Sequence, residues 1–416
     1  MFILLVSAII ITILRDPSLF INPRFWAEEG RVYFKYAVEH PAIETLTATH
    51  MGYFSLIPTI ATWLATYIPY EYAPFVTLAI SFAIQLIPCL IVIYFPCSLW
   101  PNAANKTVAL LLILLVNNSP NIWLNVINSQ FHLLLAMTIL LISDIHSRIQ
   151  KAFAIKVTLL AATTGPISCF LTPLFLWKYC RNRSTAGTII SAILLLGCFL
   201  HAATTITQGA DSAFNARLEK ISANGFTAGI ISYNIASIAT GVYASVTAHS
   251  NVQSIIKPDQ WWLTILLVCA IAGAVYSIGK HIEDNEIRNQ LIGSFLLITI
   301  LLTLFSIRGE SAPRYGYTPS VILSIILWQA ARKIPNITGI FLRRLMLAWV
   351  IFIHGTYFVS FYHTQPNNWP VWQQEIITWY KNPHHKITVH PPFPAWQFHL
   401  YPERSKNINK HYSDEF

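Results

Sequence analysis

Charged residues are scarce in this chain of 416 residues. Asp, Glu, Lys and Arg together make up 11% of the sequence, whereas hydrophobic residues make up 54%. A soluble globular protein carries roughly a quarter of its residues as charged side chains. The scarcity, together with a mean hydropathy of +0.51, excludes the disordered, collagen-like and cytosolic-enzyme classes. It predicts a polytopic membrane protein.

Several chemical motifs are also missing. The six cysteines lie in or beside apolar runs and form no C-x-x-C pair, which excludes a disulfide framework, a zinc knuckle and a redox motif. The sequence contains no Walker loop, G-x-G-x-x-G fingerprint, G-x-S-x-G elbow or zincin helix. The histidines near the carboxyl terminus do not follow a zinc-ligand spacing. The sequence therefore predicts no metal site and no nucleotide site.

Long apolar runs without alternation fill most of the chain. In lipid only helices and closed barrels satisfy their own backbone hydrogen bonds, so these runs predict an all-α, polytopic bundle of about eleven transmembrane helices. The runs are 1–14, 74–95, 108–116, 131–142, 152–162, 167–177, 185–203, 261–278, 291–307, 319–330 and 345–361. The first is expected to be an uncleaved helix rather than a signal peptide. Residues 53–68 and 226–246 are diluted by Pro, Gly and polar residues, and we expect interfacial or re-entrant helices there.

The basic residues predict how the bundle is oriented. The formal net charge is +9, and in membrane proteins Lys and Arg concentrate in cytoplasmic loops, so we interpret the charge as topology rather than as nucleic-acid binding. Most basic loops fall on one side of the membrane if residues 53–68 and 226–246 do not cross it. Residues 15–73, 119–130, 204–260 and 308–317 then face the other side, as does a tail at 362–416 that follows a bundle at 1–361. The function is expected on this outer face.

Two adjacent acids follow the first apolar run. Glu28 and Glu29 stand between Trp26 and Gly30, where a partly desolvated carboxylate can have the pKa of a catalytic base. The alternative is a solvated loop in which the acids pair with Arg24 and Arg31. Acids beside membrane spans are more often functional than acids on soluble surfaces.

Neutral polar residues gather before the run at 131–142. Asn128, Gln130 and His132 belong to a segment rich in asparagine, and such groups suit a ligand with many hydroxyls. They could equally cap helix ends and bond to neighbouring helices. A single histidine such as His132 is more often a bonded core residue than a catalyst.

Two arginines lie on the predicted outer side, against the usual charge bias. Arg308 and Arg314, the latter followed by Tyr315, flank a short loop. A guanidinium matches the oxygens of a phosphate with two parallel contacts. A lipid-linked phosphate would explain both arginines, whereas a salt bridge to Glu310 would explain only one of them.

The layout of these segments resembles the GT-C superfamily of integral membrane glycosyltransferases. Trp26-Ala27-Glu28-Glu29-Gly30 followed by Gly52-Tyr53 is similar to the W-A-E-D-G and G-Y pattern of uncharacterised bacterial members, with Glu29 in place of Asp. The run from Asn128 to His132 loosely resembles the H-F-Q-Y-N run of dolichyl-phosphate-glucose enzymes, although the residue order differs. Arg314-Tyr315 is similar to a late R-Y dipeptide of several members.

The resemblance implies a glycosyltransferase that moves a sugar from a polyprenyl-phosphate donor to an extracytoplasmic glycan or lipid-linked acceptor, with inversion. It implies a bacterial inner membrane with the site on the periplasmic face. Glu28 or Glu29 would be the base, and Arg308, Arg314 and Tyr315 would hold the donor phosphate. The substrate-binding candidates are Asn128, Gln130, His132, Trp26 and Tyr53. A divalent cation occurs in the superfamily, but the few outer acids do not favour one.

Two other classes of membrane protein would also use outward arginines and aromatic residues. One is a transporter or flippase of lipid-linked saccharides, which usually carries charges in the middle of its spans. The other is an O-antigen polymerase or ligase with a large outer loop. A non-catalytic scaffold would leave the arginines unexplained. The position of Glu28-Glu29 directly after the first helix favours the glycosyltransferase.

Overall fold

The computed structural model describes residues 1–50, 52–116, 119–207, 221–306, 312–355, 369–392 and 394–401. Of these described residues 77% are helical, and very few lie in strands. The helices of ten or more residues in the described ranges are α1 (Phe2–Arg15), α2 (Leu56–Ala65), α3 (Ala73–Tyr94), α4 (Ala103–Leu115), α5 (Ser129–Leu141), α6 (Arg148–Thr163), α7 (Thr172–Asn182), α8 (Thr185–Thr207), α9 (Ser237–Ile255), α10 (Trp261–Gly279), α11 (Asn285–Leu304), α12 (Tyr317–Lys333), α13 (Asn336–Trp349) and α14 (Trp372–Lys381).

Short helical turns and two small hairpins connect these helices. The hairpins are antiparallel and pair β1 (Thr49–His50) with β2 (Tyr53–Phe54), and β3 (Ile387–Thr388) with β4 (Gln397–Phe398). The turns are Ser18–Ile21, Glu29–Phe34, Lys35–Glu39, Ala42–Thr47, Tyr70–Tyr72, Pro120–Ile122, Val126–Asn128, Ile167–Leu171, Ala223–Gly229, Ile230–Ala236, Pro313–Gly316, Val350–His354 and Pro394–Trp396.

Five helices are long and apolar enough to cross a membrane. They are Tyr70–Tyr94, Thr185–Thr207, Trp261–Gly279, Asn285–Leu304 and Asn336–His354. Each overlaps one of the predicted apolar runs, which confirms a mostly helical fold with helices that are apolar enough to span a membrane. The other predicted runs fall in helices of 11 to 17 residues, namely α1, α4, α5, α6, α7 and α12. The total of about eleven spans therefore stays a prediction.

The surface of two of these helices is apolar. On α10 the side chains of Trp262 and Leu266 are 61% and 59% exposed, and on α13 that of Phe341 is 62% exposed. A soluble protein rarely leaves such an extended apolar face in water. Surrounding lipid removes this cost, so the exposed faces agree with the membrane class.

The basic connections gather at one end of the bundle. Lys106 donates from Nζ to the Ile93 carbonyl at 2.6 Å, and Lys178 donates to the Leu141 carbonyl at 2.6 Å. Arg332 donates to the Leu99 carbonyl at 3.1 Å. These bonds tie α4 to α3, α7 to α5, and α12 to the connection after α3. The basic loops that sequence analysis placed on one side thus lie close together.

The described part of the tail packs against residues 15–73, the first of the segments predicted to face the outer side, which we call the first outer loop. Phe25 and Phe34 form a hydrophobic cluster with Trp372 of α14, in which the rings of Phe25 and Trp372 meet edge to face with centroids 4.7 Å apart. The indole of Trp372 also donates to the Tyr70 carbonyl at 2.7 Å. The cluster is separate from the large core of the helical bundle. It joins residues of the predicted outer loop 15–73 to residues of the tail between Trp372 and Leu400.

Candidate active site

One pocket, which we call the main pocket, brings together most of the residues singled out in the sequence. Its volume is about 520 Å³. Six of the predicted site residues line it: Glu28, Tyr53, Asn128, Gln130, Arg314 and Tyr315. Of the other predicted residues, Glu29, His132 and Trp26 lie outside its lining, and Arg308 lies outside the described residues.

The two adjacent glutamates have separate environments. Glu28 is half-buried and lines the main pocket, whereas Glu29 is buried beneath it, 1% exposed. The chain turns sharply between Trp26 and Glu28 because Ala27 has a φ of +46°, a left-handed conformation that costs a non-glycine residue about 1–2 kcal/mol. The Ala27 N–H donates to the His390 carbonyl of the tail, which helps to hold this turn.

Glu29 connects the first outer loop to the second, which is the predicted outer segment 119–130. Its Oε2 accepts a hydrogen bond from the Trp26 N–H at 2.9 Å, and its Oε1 accepts one from the Val126 N–H at 3.4 Å. Burial raises the pKa of Glu29 to about 7, although hydrogen bonds from Trp26, Thr77 and Val126 oppose this effect. The geometry gives Glu29 an organising position and leaves Glu28 as the carboxylate facing the cavity.

Among the described residues neither Glu28 nor Glu29 forms a close ion pair with Arg24 or Arg31, although Arg24 interacts electrostatically with Glu29. Arg24 forms an ion pair with Asp16 at 3.7 Å, and Arg31 donates to the Ala395 carbonyl of the tail. The first outer loop therefore contains an ion pair of Arg24, but the partner is Asp16 rather than either glutamate.

Tyr33 and the hairpin β1–β2 form one wall of the main pocket. Gly52 and Tyr53 line the pocket from the hairpin, and Tyr33 lines it from the turn Glu29–Phe34. Tyr33 is buried and hydrogen-bonds to the Ser55 side chain, and burial raises its pKa well above the ordinary value of 10. Tyr33 is therefore a neutral hydrogen-bonding group at physiological pH.

The asparagine-rich segment is largely structural. Asn128 donates from Nδ2 to the Asn121 carbonyl at 2.7 Å, and Asn125 accepts from the Asn128 N–H at 3.1 Å. These bonds close the turn Val126–Asn128 before α5. His132 is buried and its Nε2 lies 3.0 Å from the Ile122 carbonyl, which makes it a bonded core residue. Asn125 thus caps the turn Val126–Asn128, whereas Asn128 and His132 bond to backbone carbonyls of the same segment.

Gln130 is the exception. Its Oε1 is buried and has no hydrogen-bond partner among the described residues, and the side chain lines the main pocket. Gly165 makes room for it, because a Cβ on Gly165 would lie 2.3 Å from Gln130 Oε1. Gly165 also has a φ of +82°, in the left-handed region that favours glycine.

Arg314 and Tyr315 enter the main pocket from the turn Pro313–Gly316. The guanidinium of Arg314 lies 5.2 Å from the centroid of the Tyr315 ring and forms a hydrogen bond with that side chain. Arg314 also interacts electrostatically with Glu28 and Tyr53. Because arginine stays protonated in proteins, the pocket holds a permanent cation and a carboxylate together.

Sequence analysis missed His201 on α8. Its Nε2 lies 3.0 Å from the Ala162 carbonyl, so Nε2 carries the hydrogen and Nδ1 is an acceptor. Nδ1 is buried without a hydrogen-bond partner among the described residues, and the side chain lines the main pocket. His201 stands inside an apolar run, as His132 does, so the sequence alone did not distinguish the histidine that lines the pocket from the one in the core.

The rest of the main pocket is apolar. Phe170 and Phe305 stack with ring centroids 5.6 Å apart, and Leu302 and Ile206 lie beside them. Phe305 follows α11, and Ile206 is 78% exposed near the end of α8. The apolar lining therefore lies at the ends of two helices that are long and apolar enough to cross a membrane.

The described residues do not assemble a metal site. No group of three His, Cys, Asp or Glu side chains converges anywhere in the described ranges, and Glu28 is the one carboxylate in the lining of the main pocket. A divalent cation usually takes six or more oxygen ligands, several of them carboxylates or carbonyls. This lining does not fit such an ion.

Comparisons with known proteins identified no relative. No family model, no curated protein and no solved structure matches the chain.

Proposed function

We propose that the protein is a membrane glycosyltransferase of the GT-C type. It would have about eleven spans and would move a sugar from a polyprenyl-phosphate donor to a glycan or lipid-linked acceptor on the extracytoplasmic face. One observation carries the proposal. The main pocket combines a carboxylate, a guanidinium, unpaired neutral acceptors and an apolar lobe.

Each part of the pocket matches one part of such a donor. The apolar lobe at Phe170, Phe305 and Leu302 suits the polyprenyl chain, and it lies at the end of α11, where a lipid could approach. Arg314 suits the phosphate. The unpaired acceptors Gln130 Oε1 and His201 Nδ1 can each accept a hydrogen bond from a sugar hydroxyl.

The reaction follows from this arrangement. Glu28 removes the proton from an acceptor hydroxyl as its oxygen attacks the anomeric carbon of the donor sugar. The bond between that carbon and the phosphate oxygen breaks, and its electron pair leaves with the polyprenyl phosphate. Arg314 stabilises the negative charge that develops on the phosphate. A single displacement of this kind inverts the anomeric configuration, and Glu28 then releases its proton to water.

The test compares donor binding with sugar transfer. The protein is purified from bacterial membranes, and the polyprenyl lipid that accompanies it is identified by mass spectrometry and then used as donor. We expect Glu28→Gln to retain this lipid and to transfer sugar at least about 100-fold more slowly, because it lacks a base. Arg314→Gln should lose the lipid itself.

Glu71→Gln is the matched control. Glu71 is another half-buried acid of the first outer loop, and it lies outside the main pocket. We expect it to keep both binding and transfer. Full transfer by Glu28→Gln would refute the assignment of the base. A wild-type protein that binds and translocates the lipid-linked sugar without transferring it would refute the enzyme and favour a flippase.

A further inference from the structure

A second cavity lies beside the main pocket, on the other side of the hairpin β1–β2. We call it the outer cavity. It is open, has a volume of about 420 Å³, and is lined by Tyr36, Glu44, Thr47, Ala48, Thr49 and His50. No residue singled out in the sequence lies in it, and the proposed reaction does not use it.

The lining of the outer cavity is unusually polar for its size. Five of its six residues have a side chain that forms hydrogen bonds, and Glu44 is the one charged residue among them. The imidazole of His50 is neutral at physiological pH, because burial, and to a lesser extent His40, lowers its pKa to about 4. Hydroxyls, a phenol, a neutral imidazole and one carboxylate complement a neutral ligand with many O–H groups.

The two cavities share a wall. β1 supplies Thr49 and His50 to the outer cavity, and Tyr53 of β2, which pairs with His50, lines the main pocket. The ring of His50 also meets that of Tyr33, another main-pocket residue, edge to face with centroids 4.7 Å apart. Paired strands are about 5 Å apart, so the two cavities are separated by about the width of one hairpin, which is shorter than a disaccharide.

We infer that the outer cavity is a binding site for a sugar unit of the acceptor, and that the acceptor is therefore an oligosaccharide rather than a single sugar or a simple lipid alcohol. This inference rests on the proposed function. The chain of the acceptor would cross the hairpin β1–β2, with one unit held by Glu44, Thr47 and His50. Its terminal hydroxyl would then reach Glu28 in the main pocket.

The ligand test is direct binding, which does not depend on transfer. A panel of neutral disaccharides, containing maltose, cellobiose, lactose and chitobiose, is added to the purified full-length protein and observed by saturation-transfer NMR. We expect at least one of them to bind the wild-type protein. Glu44→Gln and Tyr36→Ala should weaken that binding at least about tenfold, the loss expected for one or two hydrogen bonds.

Tyr67→Ala is the matched control, because Tyr67 is an exposed aromatic residue after α2 that lines neither cavity. It should bind like the wild-type protein. A thermal unfolding curve of each variant checks that it is folded, and Tyr36→Phe, which keeps the ring, replaces Tyr36→Ala if the latter unfolds.

Two results would overturn the inference. They are binding that survives both Glu44→Gln and Tyr36→Phe, and no binding of any disaccharide to the wild-type protein. Neither of them depends on transfer activity, so failure of the proposed reaction would be recognised separately. Binding that depends on Glu44 in a protein without transferase activity would support the outer cavity and refute the enzyme.

Discussion

At the scale of single residues, Glu28 and Glu29 show how one sequence motif divides into two roles. They are adjacent, yet Glu28 lines the main pocket and Glu29 joins the first outer loop to the second. The sequence predicted the pair but not this division, because the division depends on the left-handed backbone at Ala27 and on a carbonyl of the distant His390. Neither the backbone conformation of Ala27 nor its hydrogen bond to His390 has a local signal in the sequence.

The buried carboxyl of Glu29 predicts a pH-dependent stability. Its pKa is raised from the ordinary 4.5 to about 7, so the folded protein keeps a proton that the unfolded chain releases. The contribution of Glu29 to stability is therefore fully present below about pH 4.5 and is lost as the pH rises to about 7. The loss in unfolding free energy is on the order of 3 kcal/mol.

Glu29→Gln should remove this dependence, because an amide cannot ionise. The quantity of interest is the melting temperature of the variant minus that of the wild-type protein, both in detergent. We expect this difference to increase from pH 5 to pH 8. Differential scanning fluorimetry at several pH values measures it, with Glu71→Gln as the control. Parallel curves for Glu29→Gln and the wild-type protein would contradict the prediction.

At the scale of elements, the turn between α6 and α7 holds a wall of the main pocket in place. Gly165 donates from its N–H to the Phe54 carbonyl of β2 at 3.1 Å, while its missing side chain leaves room for Gln130. One glycine therefore connects the hairpin, the turn and α5. The apolar runs on either side of the turn could be read from the sequence, but the approach of Gln130 could not.

Gly165→Ala should disturb this arrangement. The added Cβ would clash with Gln130, and the left-handed backbone would cost about 1–2 kcal/mol. We expect a lower melting temperature and weaker retention of the co-purified lipid. Gly273→Ala on α10 is the control, because a Cβ there meets no atom within 4 Å. Equal behaviour of the two variants would show that Gln130 does not need this space.

At the scale of the whole molecule, hydropathy predicted a mostly helical protein with apolar helices, which the structure confirms. The count of about eleven spans stays a prediction. Five helices satisfy the length and composition of a span. Others, such as α1 with 14 residues and α7 with 11, are shorter than the roughly 20 residues that a bilayer requires. Packing against neighbouring helices, which a single sequence does not reveal, determines where these shorter helices end.

The clustering of basic loops predicts the orientation. We expect reporter fusions after Arg183 and after Lys333 to be cytoplasmic, because these positions belong to the basic end of the bundle. A fusion after Tyr401, in the tail that packs on the first outer loop, should be extracytoplasmic. Paired phosphatase and fluorescent-protein fusions measure this. A phosphatase-active fusion at Arg183 or Lys333 would contradict the orientation.

The contact between the tail and the first outer loop also sets an order for biosynthesis. The ribosome makes residues 25–34 early, but Trp372 and the His390 carbonyl, which pack against them, emerge more than 300 residues later. Until then Phe25 and Phe34 lack half of their hydrophobic neighbours, and the turn that presents Glu28 lacks a bond. The pocket thus reaches its final form only after the last helix of the bundle has been inserted.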